Sequence, residues 1–428
     1  MFAARNGLMR YFHVPILLAG IGLTACQEID PPAVEALQMP TTGAWHMELD
    51  LDSTEAQVIL PFQFDLAHQD GHWSLSIHNQ DETIVVDSVS IHGDSVLVRM
   101  PFFDSEFRGL IQDSSHFHGL WYNYYKGPGY AIPFHASLGR RPRFPGPAAQ
   151  APMDISGDWE VHFLDGDNNE PAIGIFTVQD SRVKGSFATQ SGDLRYLEGI
   201  TTHDSLFLST FNGFQAYLFR AALRNDSMVG EFRNGHRWTQ AWYAVRNPAF
   251  RLANDETLTT LDPAHPVAFS FPGLDGELHA LSDERYRGKA VVVEIMGTWC
   301  PNCMDQSRML DELYHKYHKD GLEAVAVAFE RYPDPMRALA AMRHFKAQLG
   351  IQYDLLYGGM AKRDTVAKNL PFIRELMSYP TTLLIGRDGT VRHIYTGIHG
   401  PGTGARYIRF RERMESAIVE LLKEPGAG

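Results

Sequence analysis

Hydrophobic and polar residues alternate with period two through much of the first 250 positions. Trp45, Met47, Leu49 and Leu51 alternate with His46, Glu48, Asp50 and Asp52, and residues 62–66 and 73–78 repeat the pattern. A strand turns successive side chains to opposite faces, so this pattern predicts antiparallel sheet with one buried and one wet face. The same plan returns about 110 residues later. Gly43-Ala44-Trp45 corresponds to Gly157-Asp158-Trp159, Asp94-Ser95-Val96 to Asp204-Ser205-Leu206, and the segment starting at Gly119 to the one starting at Gly230. A nearly constant offset is the mark of a duplicated module with small loop changes. Each copy has room for about seven or eight short strands. The prediction is two all-β modules, meander barrels or sandwiches, over residues 43–139 and 154–246; a single composite sheet domain is the alternative.

Residues 140–153, RRPRFPGPAAQAPM, read as a stiff proline-rich linker, and residues 247–265 as a second linker punctuated by Asn247-Pro248 and Asp262-Pro263. Beyond residue 265 the pattern becomes mixed. Residues 290–296 form a β-branched run, Leu310, Leu313, Tyr314 and Tyr317 share a helical face, and residues 322–329 are again apolar. A helix over 335–349 follows, then strands over 381–385 and 391–396, and a final amphipathic helix marked by Phe410, Met414, Ala417, Ile418 and Leu421. Strand and helix alternate, so residues 266–428 are predicted to form an α/β domain.

Composition narrows the function classes. The chain has 428 residues, 44% of them hydrophobic, and a net charge of -13. It is long enough for two to three domains with ordinary cores. Its acidity, with no clustered block of Lys and Arg, argues against nucleic acid as a partner. Residues 1–25 carry Arg5 and Arg10 ahead of a short apolar run, the arrangement of an export signal rather than a membrane span. That stretch ends Leu23-Thr24-Ala25-Cys26, which resembles the bacterial lipobox. In that reading Cys26 is the lipidated mature N-terminus anchoring the protein to a membrane, with residues 26–42 as a polar tether; an ordinary secretory peptide with an incidental cysteine is the alternative. Gln27 stands where enteric lipoproteins retained at the inner membrane carry aspartate, which favours the outer membrane.

Only three cysteines occur: Cys26, Cys300 and Cys303. Once Cys26 is assigned to the anchor, no disulfide framework competes with the remaining pair. Residues 297–303 place Trp299-Cys300-Pro301-Asn302-Cys303 at the junction of a buried strand and a helix start. There, free backbone N–H groups and the helix dipole favour thiolate, lowering a cysteine pKa from about 8.5 toward neutrality. Cys300 is therefore the expected nucleophile, and Cys303, one turn on, the resolving thiol. Glu294, within an all-apolar run, should be desolvated with a raised pKa, fitting it to carry the proton that Cys303 exchanges; a structurally paired core acid is the alternative. Zinc would need further ligands that the pair lacks, so no metal and no cofactor beyond the redox-active disulfide Cys300-Cys303 is expected. His116 and His118 lack a third ligand, and the aromatic run over residues 121–125 fits core and pair contacts better than a sugar or peptide platform.

Trp299-Cys300-x-x-Cys303 after an apolar strand, an acid six positions before the first cysteine, and Tyr379-Pro380-Thr381 ahead of a strand together resemble the TlpA/ResA-like thiol-disulfide oxidoreductases of the thioredoxin superfamily. Leu281-Ser282-Asp283 and Arg287-Gly288-Lys289 match that family's lead-in to its first core strand, and the resemblance runs from Pro266 to about Lys423. It implies a cis Pro380, with Tyr379 and Pro380 facing the cysteines and, with Trp299, meeting substrate. It also implies a reductive role in the cell envelope, acting on exported protein thiols and disulfides and recharged by an upstream thiol donor. Pro301-Asn302 departs from the order in thioredoxin itself, which has proline before the second cysteine; the direction of electron flow rests on these two residues. The interval over residues 358–378, with Lys362, Arg363, Lys368 and Arg374, either lines the site or covers the sheet edge. Two other functions remain open: a peroxiredoxin-like peroxidase, and an envelope scaffold whose β-modules are the working part.

Overall fold

A computed structural model describes residues 39–52, 57–146 and 151–426. The export signal, Cys26 and most of the tether lie outside the described residues. Among those described, no helix is long and apolar enough to cross a membrane.

The first eight strands are β1 Gly43–Asp52, β2 Val58–Gln69, β3 His72–Asn79, β4 Glu82–His92, β5 Ser95–Arg99, β6 Ser105–Asp113, β7 His116–Asn123 and β8 Ala131–Leu138. They pair in sequence order, and β1 also pairs with β8, closing an antiparallel barrel. The inward residues include the ones the alternation marked, among them Trp45, Met47, Leu49, Phe62, Phe64 and Leu75. Asp70 and Gly71 both take positive φ (51° and 80°) between β2 and β3, the geometry that matches a tight hairpin to the strand twist.

The second module has β9 Gly157–Asp165, β10 Asn168–Gln179, β11 Arg182–Thr189, β12 Gly192–Asp193, β13 Leu197–Thr201, β14 Ser205–Phe211, β15 Ala216–Arg224, β16 Ser227–Asn234 and β17 Trp238–Val245. β9 pairs with β17, and β10 with both β9 and β11, so this sheet also closes; the two-residue β12 is an added hairpin on β11. The repeat extends to single atoms. Trp45 Nε1 donates to the Thr41 carbonyl at 2.9 Å, and Trp159 Nε1 to that of Ile155 at 2.8 Å. A Cβ on Gly119 would lie 2.0 Å from the Arg108 carbonyl oxygen, and one on Gly230 2.1 Å from that of Arg220. Both glycines therefore mark a close crossing of backbones that no side chain permits.

The barrels are joined by a plug. Phe211, at the end of β14, is fully buried in the core of the first barrel, stacked on Phe62 at 4.6 Å between centroids and edge-on to Trp121 at 4.9 Å. The proline-rich segment between the modules helps hold it there: Phe144 enters the first barrel's core, and the buried Arg143 donates to the carbonyls of Pro61, His78 and Ser209. Phe211→Ala is expected to cost about 3 kcal/mol, since the neighbours cannot collapse into the vacated space. Urea unfolding of the full chain should show this as a lower midpoint.

The C-terminal domain comprises β18 Ser270–Pro272, β19 Leu278–Ala280, β20 Ala290–Met296, α1 Pro301–Tyr317, β21 Leu322–Glu330, α2 Pro335–Leu349, β22 Asp354–Met360, α3 Arg363–Asn369, β23 Thr381–Ile385, β24 Val391–Thr396 and α4 Ala405–Lys423. Its sheet has the order β22-β21-β20-β23-β24. β20, β21 and β22 run parallel, and β23 and β24 are antiparallel to their neighbours. Every residue of β20 is buried, as expected of a central strand covered on both faces. Val292 and Met296 face α1, α2 and α4, while Val291, Val293 and Ile295 face a second layer containing Val366, Leu370 and Phe372. The long interval after β22 thus covers the sheet: α3 and residues 370–373 pack on it, and Leu261 bridges to Ile373. This is a thioredoxin-like α/β fold behind two closed β-barrels.

Candidate active site

Cys300 caps α1. The backbone N–H of Cys303 donates to Cys300 Sγ at 3.3 Å, and Pro301, which has no N–H to leave unpaired, occupies the first helical position. From the other side the Cys300 thiol donates to the Tyr379 carbonyl at 3.5 Å. The Tyr379-Pro380 bond is cis. Trp299 closes the group, edge-on to Tyr379 at 5.4 Å, its Nε1 donating to the Phe329 carbonyl at 2.9 Å. The structure therefore brings Trp299, Cys300, Cys303, Tyr379 and Pro380 together. Both cysteines are free thiols.

Glu294 lies beneath α1, on the face of β20 that carries Val292 and Met296. Burial pushes its carboxyl up to about 8, against the opposing pull of two hydrogen bonds. These come from Ser307 Oγ, at 2.9 and 3.1 Å to its two oxygens, and from the Tyr353 hydroxyl at 3.1 Å. Cys303 is fully buried, and that burial, the Cys300 sulfur and the Glu294 charge all raise its thiol well above the ordinary value. Glu294 and Cys303 are thus electrostatically linked, although the hydrogen bonds of Glu294 go to Ser307 and Tyr353.

A second buried acid went unremarked in the sequence. Glu330, at the end of β21, accepts from the Thr298 N–H at 2.9 Å and from its hydroxyl at 2.8 Å, and burial pushes its carboxyl up to about 7. It fixes the turn that delivers Trp299 and Cys300. Its signal in the sequence was like that of Glu294: an acid directly after an apolar run, residues 324–329.

The barrels build the rest of the site. Arg195, buried in the second barrel, binds Asp305 of α1 at 2.6 Å and the Pro301 carbonyl at 3.2 Å, and also Glu82 of the first barrel at 2.5 Å. Burial pushes Asp305 up to about 6, a shift that Arg195 opposes. Asn302 lies against Gly192, where a Cβ would fall 2.0 Å from its Nδ2, and donates to the Asp193 carbonyl at 3.4 Å. Ser378 Oγ donates to the Ser191 carbonyl at 2.7 Å. Phe103 and Phe214 join the core cluster that holds both cysteines, and Cys300 is left only 7% exposed. Away from this centre, His116 bonds Asp113 and Ser115, His118 stacks on His135, and Trp121 fills the first barrel. Among the described residues no cluster of His, Cys, Asp and Glu is arranged to hold a metal.

Comparison with known proteins finds relatives of the C-terminal domain. The AhpC/TSA family model matches residues 263–394, wholly within the C-terminal domain. The thiol-disulfide oxidoreductase ResA of Geobacillus kaustophilus is 32% identical over 129 residues, which cover 30% of this chain and 66% of that protein. The thiol:disulfide interchange protein CycY of Rhizobium leguminosarum bv. viciae is 30% identical over 169 residues, 37% of this chain and 79% of that protein. A crystal structure of a thioredoxin-family thiol:disulfide interchange protein from Chlorobium tepidum aligns with 38% of this chain and 97% of its own, at 18% identity and a TM-score of 0.28. The chain thus spans just under two thirds of the ResA protein it matches.

Proposed function

This chain belongs to the thioredoxin-like thiol-disulfide oxidoreductases, and on that premise we propose that it reduces disulfides of exported partners through the Cys300–Cys303 dithiol. The supporting observation is the placement of Cys300 Sγ between the Cys303 N–H and the Tyr379 carbonyl, at the start of α1. Cys300 thiolate attacks one sulfur of the partner's disulfide; a mixed disulfide forms, and the other sulfur leaves as a thiolate that takes up a proton. Cys303 then gives up its proton, with Glu294 as the acceptor, and attacks Cys300 Sγ. The second partner thiolate departs, two electrons have moved to the partner, and the protein holds a Cys300–Cys303 disulfide. An upstream thiol donor restores the dithiol. We place the protein in the cell envelope facing the periplasm, anchored through Cys26, at the outer membrane by the Gln27 argument.

Equilibration of the purified chain with glutathione buffers tests both chemistry and direction. A single two-electron transition near about -270 mV supports the reductant, one near about -120 mV makes the protein an oxidant, and no transition at all sinks the reading. A peroxidase function would need the Pro-x-x-x-Thr-x-x-Cys setting of peroxiredoxins, whereas Val293 and Gly297 stand where its proline and threonine belong. Consumption of hydrogen peroxide by the reduced chain faster than reduction of any disulfide would reverse that preference.

A further inference from the structure

Three bodies meet beside Cys300, and each contributes to one small cluster. Phe214, from the loop between β14 and β15, is held rigidly: its carbonyl accepts from Asn123 Nδ2 at 2.9 Å, its N–H donates to Asn212 Oδ1 at 3.0 Å, and its ring packs on Phe103 and Tyr125. Lys126 of the first barrel sets its Nζ 5.3 Å from the centre of that ring. Arg331, just after β21, lies 5.7 Å from the same ring and 3.8 Å from the centre of the Trp299 indole. Two cations therefore converge on one aromatic ring next to the nucleophile. Neither makes a hydrogen bond or an ion pair among the described residues, and the negative groups that act on Arg331 are the Cys300 sulfur and the Glu330 carboxylate. Like charges placed together repel, as Arg331 does Lys126, and cation–π contact with the nearby Glu330 charge offsets only part of that cost. Such an arrangement is completed by an anion.

Access to Cys300 is also restricted. The face that would receive a client, formed by Trp299, Asn302, Ser378 and Tyr379, is already covered by residues 191–193 and by Phe214, with Arg195 tying the cover to α1. A folded protein cannot lay its backbone along that face while the cover is in place. We propose that Lys126 and Arg331 form an anion-recognition subsite at the mouth of Cys300, and that its substrates are low-mass disulfides bearing carboxylates. The inference rests on the exchange chemistry proposed above and replaces its exported protein clients with low-mass disulfides. Electrons and atoms balance as before: the dithiol supplies two electrons, the substrate S–S bond breaks, the protein disulfide forms, and two carboxylate-bearing thiols leave.

The test measures second-order rates of the fully reduced chain with oxidised glutathione (anionic), hydroxyethyl disulfide (neutral) and cystamine (cationic), each divided by its rate with dithiothreitol. The expected order is anionic, then neutral, then cationic. The anionic-to-neutral ratio should fall about tenfold in the Lys126→Gln, Arg331→Gln double variant and in high salt, and recover in Lys126→Arg. The ratio should not move in Lys319→Gln, which removes one exposed charge far from the site. Alkylation by neutral iodoacetamide reports whether a variant alters the reactivity of Cys300 itself. An unchanged ratio in the double variant overturns the subsite, as does faster reduction of insulin than of oxidised glutathione by the intact chain. If the wild type reduces hydroxyethyl disulfide but shows no charge preference, the subsite alone fails; if it reduces none of the probes, the exchange reading fails with it.

Discussion

Cys303→Ala captures its substrate and does not release it. The expected product is a one-to-one covalent adduct on the Cys300 peptide, visible by non-reducing mass spectrometry, with multiple turnover lowered at least about a thousandfold. The variant keeps what the first step needs. The N–H at position 303 belongs to the backbone, so it still donates to Cys300 Sγ, and Pro301 still starts the helix. What disappears is the one thiol, among the described residues, able to attack the mixed disulfide from within. The removed sulfur is small and fully enclosed, so the cavity should cost about 1 kcal/mol and leave the fold intact. Cys300→Ser should give no adduct at all. Sustained turnover by Cys303→Ala, or adducts mapping away from Cys300, would refute the assignment of nucleophile and resolving thiol.

The parts of this site that were legible in the sequence are those built from neighbours along the chain. Trp299 to Cys303 is one local segment, and Glu294 stood out because an acid among Val291, Val293 and Ile295 has no wet face to occupy. The barrels were legible for a related reason: period-two alternation is imposed strand by strand, and the repeated Trp45 and Trp159 anchors survive duplication. Arg195 is different. Its partners, Glu82 and Asp305, are each more than 100 positions away, and a buried arginine reads no differently in sequence from a solvated one. Lys126, Phe214 and Arg331 come from three separate bodies and meet only when the chain is folded. The proline-rich segment misled in the same way, since Arg143 and Phe144 enter the inter-barrel core although the prolines around them suggested only a spacer. Nothing in the period-two pattern of the β-modules shows that they wall the cysteine pair, because those contacts join residues far apart in the chain.

Glu294→Gln should separate the acid's structural and chemical roles, because each moves a different measurement. In the folded chain its carboxyl titrates near about 8, against 4.5 ordinarily. Between those values the native state keeps a proton that the unfolded chain has lost, so stability falls as pH rises from about 4.5 and levels off above about 8. At about 1.4 kcal/mol per unit, the full penalty is on the order of 5 kcal/mol. Gln cannot ionise, so the stability of the variant minus that of the wild type should climb by that order between pH 5 and pH 9. Taking the difference cancels the similar slope that Glu330 contributes. Any fixed cost of seating an amide beside Ser307 and Tyr353 shifts the curve without tilting it. A difference that stays flat with pH would mean Glu294 is ionised throughout that range. The second measurement is the rate at which the mixed disulfide resolves. If Glu294 accepts the proton of Cys303, the Gln variant should resolve about a hundredfold more slowly at neutral pH, and the intermediate should accumulate in stopped-flow alkylation traps. The electrostatics alone push the other way, since removing the Glu294 charge makes the Cys303 thiol easier to ionise. A slower resolution therefore cannot come from the loss of charge. An unchanged or faster one would reduce Glu294 to a buried acid held by Ser307 and Tyr353, and the proton of Cys303 would have to leave by another route.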